Sequence, residues 1–134
     1  MPSIIDVEGI GPAYKKKLKG VGINTTEALL EAGGTPKSRK ELAAKTGIGD
    51  ALILEWVNLS DLFRIKGVGS EYSDLLEEAG VDTIVELSKR VAKNLFEKMV
   101  EVNEKKKLVR KLPTEVQVSD WVDQAKKLPR KVSY

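Results

Sequence analysis

The chain has 134 residues, 41% of them hydrophobic and 32% charged, enough apolar content for one modest core or two small ones. It contains no Cys and no His, which excludes thiolate nucleophiles, disulfides, imidazole acid–base catalysis and the usual zinc ligand sets. With Lys+Arg at 23 and Asp+Glu at 20, the net charge of +3 permits nucleic-acid contact without demanding it.

The opening stretch "MPSIIDVEGIG" lacks the apolar core of a signal peptide, and no run approaches the ~20 apolar residues that span a bilayer, so a cytoplasmic protein without membrane contact is expected. Ile4, Val7 and Ile10, spaced by three, predict a short helix running into a glycine turn. Gly9 and Gly11 lack a Cβ, so both are expected to accept positive φ while Ile10 points back into the core. Pro12 then suits the first turn of a helix through Tyr14 and Leu18 to Gly20. Ser38 with Glu41 reads as a capping box, and "KTGIGDAL" offers Gly47, Ile48 and Gly49 as a companion hairpin.

Further along, Ser60 is the expected cap of a short helix leading through Leu62 and Ile65 to Gly67, Val68 and Gly69. Gly22 and Gly80 each sit where a left-handed residue would end a helix. Thr83 with Glu86 and Asn94 with Glu97 read as further capping boxes. Thr114 begins a last helix whose Val118, Trp121, Val122, Ala125 and Leu128 share one apolar face. No stretch alternates with period two, so the expected fold is all-α.

"VEGIGPAY" and "IKGVGSEY" are two readings of one pattern. At an offset of 58, Gly9, Gly11, Tyr14, Leu18, Gly22, Thr25 and Leu29 meet Gly67, Gly69, Tyr72, Leu76, Gly80, Thr83 and Leu87, identical in every pair. Seven identities in register read as a tandem duplication. Trp56 and Trp121 close the two halves and are expected in the core.

The spacing hydrophobic-x-x-hydrophobic-x-Gly-hydrophobic-Gly resembles the helix-hairpin-helix motif of DNA-repair and replication proteins. The two halves, with "LEWVNLSDLFRIKGVGSEYSDLLEEAGVDTIVEL" and "VEVNEKKKLVRKLP", resemble a prokaryotic family called "domain of unknown function 4332". That resemblance covers nearly the whole chain. It implies tandem short-helix helix-hairpin-helix (SAM-like) units at residues 1–58 and 59–128, with 129–134 as a C-terminal tail. That family implies no activity, whereas the resemblance to helix-hairpin-helix proteins in general implies that hairpin amides grip duplex phosphates, sometimes through a monovalent cation held by hairpin carbonyls. On this chain those contacts fall on Gly9, Ile10 and Gly11, and on Gly67, Val68 and Gly69.

Charge separates the two copies. "YKKKLK" supplies Lys15, Lys16, Lys17 and Lys19 after the first hairpin, whereas "YSDLLEE" puts Asp74, Glu77 and Glu78 after the second, where they repel a phosphate. The basic excess is C-terminal, at Lys105, Lys106, Lys107, Arg110 and Lys111 and at Lys126, Lys127, Arg130 and Lys131. With 5% aromatic residues, stacking on single strands is not expected, and any DNA binding would be backbone-directed and salt-sensitive. Two readings therefore stand: a non-catalytic binder of double-stranded DNA backbone, or a protein-interaction module whose hairpins are structural. No convergent set of carboxylates, lysine and serine suggests an enzyme.

Overall fold

The computed structural model describes residues 2–134 and is all-helical. A single 3-10 turn at Ile4–Asp6 precedes α1 (Pro12–Lys19), α2 (Thr26–Ala32), α3 (Pro36–Thr46) and α4 (Asp50–Leu62). Then come α5 (Ser70–Glu78), α6 (Ile84–Ser88), α7 (Ala92–Lys106) and α8 (Glu115–Lys127). No strand occurs among the described residues, and an isolated antiparallel bridge joins Ser3 to Thr25. No described helix is long and apolar enough to cross a membrane.

Backbone hydrogen bonds repeat at an interval of 58 residues. Ile10 N–H donates to Val7 O and Val68 N–H to Ile65 O; Lys15 donates to Gly11 and Ser73 to Gly69. Downstream, Ile23 donates to Leu18 and Val81 to Leu76, and Leu29 to Thr25 as Leu87 to Thr83. The same sequence pattern thus produces the same local path twice, because the glycines and the buried aliphatic residues occupy the same addresses.

The buried apolar residues fall into two clusters. Ile4, Val7, Ile10, Leu18, Ile53 and Trp56 belong to the first, and Leu62, Ile65, Val68, Leu76, Val118 and Trp121 to the second. The boundary expected between residues 58 and 59 lies inside α4, which runs unbroken from one cluster to the other with Leu59 in the first and Leu62 in the second. A continuous helix between the clusters leaves no flexible linker there. Residues 129–134 follow α8 without regular structure, yet Val132 is buried in the first cluster.

Several helix starts differ from the sequence reading. α3 begins three residues earlier than Ser38 implies, because Pro36 occupies its first turn; Thr35 is the cap and Ser38 its reciprocal partner. α7 starts at Ala92 after Val91, so Asn94 lies inside it and caps nothing. Thr83 holds the cap position of α6, but its side chain makes no capping bond. The buried Asp61 carboxylate accepts from Ile84 N–H at 2.9 Å instead, and also pairs with Arg64 at 2.9 Å. Ser60 is likewise interior to α4, with a buried hydroxyl that has no hydrogen-bond partner. Thr114 does cap α8, reciprocally with Gln117.

Candidate nucleic-acid interface

At the first hairpin the two glycines have different conformations. Gly9 has φ +94°, the left-handed region that favours glycine, and a Cβ built there would lie 3.1 Å from Trp56 Nε1. Gly11 departs from the expected positive φ: at φ −90°, ψ −176° it is extended and serves as the cap of α1. Gly67 (φ +94°, Trp121 Nε1 at 3.2 Å) and Gly69 (φ −114°) divide the roles in the same way. One reversal per hairpin suffices, because Ile10 and Val68 insert into the core and redirect the chain. An edge-to-face contact Tyr14–Trp56 (5.0 Å) and a tilted contact Tyr72–Trp121 (5.2 Å) hold each tryptophan over its hairpin.

Pro12 occupies the first position of α1, and no side chain caps the helix. The amides of Ala13 and Tyr14 consequently have no acceptor among the described residues and point out of the helix N-terminus. Such amides, with the helix dipole behind them, attract an anion. Lys16, Lys17 and Lys19 are exposed and Lys15 is half-buried. None of the four makes an ion pair among the described residues, and Lys17 Nζ lies 5.9 Å from the centre of the Tyr14 ring.

The second hairpin has the same backbone but other neighbours. Gln124 on α8 receives Lys66 N–H at 2.9 Å and donates to Lys66 O at 3.2 Å, clamping the turn that leads into Gly67. In α5, Asp74 is held above the ordinary carboxyl pKa by burial, then by Glu8, Glu78 and Glu55. Glu77 is pushed up to about 7 by burial first and then by Glu55, Asp74, Glu78 and Asp82. Glu8 and Glu55 of the first half thus act on Asp74, and Glu55 on Glu77, so acidic groups of the two halves raise one another. Nothing in the local sequence around Glu8 or Glu55 marks this interaction with α5, which depends on how the two halves pack.

Two of the remaining sequence-predicted basic residues lie against carboxylates. Lys106 pairs with Glu78, Lys105 lies 3.7 Å from Glu101, and Lys111 O accepts from Tyr72 Oη at 3.0 Å. "KTGIGDAL" repeats the hairpin form: Gly47 has φ +74°, Ile48 is buried and Gly49 caps α4 without a side-chain bond. Of the hairpin carbonyls, Val7 O and Gly11 O already accept from the Ile10 and Lys15 amides. Among the described residues no group of three or more acidic side chains is placed to hold a metal ion.

The family model described as Domain of unknown function (DUF4332) matches residues 8–128. The chain belongs to this family. The match begins at Glu8, includes both glycine hairpins and ends at Leu128, so the DUF4332 region contains all the candidate phosphate contacts and excludes residues 129–134. No curated protein and no solved structure matches the chain.

Proposed function

We propose that the chain is a non-catalytic tandem helix-hairpin-helix protein that binds double-stranded DNA backbone weakly and without sequence preference through its first hairpin. The observation that carries this reading is the uncapped start of α1, where free amides and four lysines without ion pairs belong to one short helix. Amides supply directed hydrogen bonds to one phosphate, and lysines supply the salt-dependent attraction. The second hairpin offers the same amides, but Asp74, Glu77 and the Gln124 clamp make it a structural element. The low net charge and Glu8 beside the hairpin keep the affinity low.

The interacting carboxylates of the two halves favour a second reading, a protein-interaction module that meets a basic partner. Fluorescence anisotropy with a labelled duplex of about 20 base pairs separates the two readings. Titration across KCl concentrations is expected to give a Kd near ~10 micromolar at low salt that weakens steadily as salt rises. Changing Lys15, Lys16 and Lys17 together to Glu should weaken it by about tenfold or more. Absence of binding at low salt would overturn the DNA reading and leave the hairpin structural.

A further inference from the structure

Residues 131–134 are held to the first half by contacts that have the form of a peptide-recognition site. Val132 is 3% exposed and sits in the first cluster, although it follows the second half in sequence. Ser133 N–H donates to Gly34 O at 2.8 Å, as a peptide backbone pairs with an edge. Arg39, itself 6% exposed, donates from Nη2 to Ser133 O at 2.7 Å and from Nη1 to Gly33 O at 2.9 Å. Tyr134 lies over the Arg39 guanidinium at 6.0 Å and donates from Oη to Asn58 Oδ1 at 3.0 Å.

Each of these features belongs to the slot rather than to the segment that fills it. A Cβ at Gly34 would stand 2.7 Å from Lys131 O, so only glycine lets the passing backbone approach this closely. Arg39 makes no ion pair among the described residues; its buried charge is satisfied by two carbonyls, one of which the segment supplies. Emptying the slot would take from Arg39 Nη2 the Ser133 carbonyl and open it to water, and the carbonyl of another peptide could replace that contact. The occupant meanwhile buries a single large side chain, with Arg130 and Lys131 exposed and Tyr134 66% exposed, so beyond Val132 it is held mainly by the hydrogen bonds of Ser133 and Tyr134. Segments of that kind open at lower free energy than the core around them.

We propose that the surface formed by Gly33, Gly34, Arg39 and Asn58 is a binding site for an extended peptide, occupied here in cis by residues 131–134 and exchangeable. Its ligand class is set by the contacts: a β-branched residue for the buried pocket, a small residue whose N–H and C=O pair with Gly34 and Arg39, and then an aromatic hydroxyl for Arg39 and Asn58. In cis the segment is present at an effective concentration on the order of millimolar, so the site is closed to weaker ligands until the segment is displaced.

The test uses the full chain and a fluorescent peptide of sequence LPRKVSY. The unchanged protein should bind it poorly. The Val132→Asp chain, whose own segment cannot bury a carboxylate, should bind it at least about tenfold more tightly, and adding Arg39→Ala should abolish that gain. A Val132→Asp chain that keeps its helical circular dichroism and cooperative melt but gains no affinity for the peptide would overturn the proposal. Should Val132→Asp unfold the protein, native-state hydrogen exchange on the unchanged chain decides. Ser133 N–H exchanging at least about tenfold faster than Val57 N–H supports an exchangeable segment, and equal protection of the two refutes it.

Discussion

Gly9 and Gly11 are both one residue from Ile10, yet substitution should separate them sharply. Gly9→Ala forces φ +94° on a residue with a Cβ and drives that Cβ to 3.1 Å from the Trp56 indole nitrogen. The combined strain should cost about 1–3 kcal/mol in urea unfolding. Gly11→Ala meets nothing within 4 Å at an ordinary extended φ, so it should cost less than about 1 kcal/mol. A pair of equal losses would contradict this division. The sequence made the two glycines equivalent because spacing reports only that Cβ is missing. Which one turns the chain depends on where Trp56 arrives from α4, and that is set by packing.

Helix ends show the same limit at the level of elements. The Thr114 start of α8 and the Pro12 start of α1 were legible, since a single residue's chemistry fixes each. At α6 the cap position Thr83 was legible but its capping bond was not, because the Ile84 amide is satisfied by Asp61 from a different helix. The end of α7 is also informative. Lys107 closes it in the left-handed conformation at φ 51°, the role that Gly47 plays for α3 at φ 74°. A left-handed lysine costs about 1–2 kcal/mol, of which glycine's greater chain entropy returns roughly half. Lys107→Gly should therefore stabilise the protein by about 0.5 kcal/mol, read as a rise in Tm of roughly 2 °C. A fall in Tm would mean that the Lys107 side chain contributes packing that outweighs its backbone strain.

For the molecule as a whole, contacts within one half were readable and contacts between halves were not. The repeat made the hairpins, the buried tryptophans and the all-helical class visible from local pattern. The docking of Val132 into the first cluster and the approach of Glu8 and Glu55 to α5 join residues far apart, with no local mark on either partner. That second meeting has a titration consequence. Glu77, Glu55 and Asp82 line one cleft of about 250 Å³ with Asn58, between α4 and the end of α5 with the loop that follows it. Burial and its acidic neighbours raise Glu77 to about 7 in the folded protein from an ordinary value of 4.5. The folded state then binds more protons than the unfolded chain between those values, so stability falls as pH rises from about 4.5 to about 7 through this group. Glu77→Gln removes the charge while keeping the shape. It should raise Tm by a few degrees, about 3 °C, at pH 8 and leave it nearly unchanged at pH 4, where the wild-type carboxyl is already protonated. Melts of both proteins across that range check the sign. A variant advantage that stays constant with pH would show that Glu77 destabilises through packing alone, and one that grows toward acid would reverse the assigned shift.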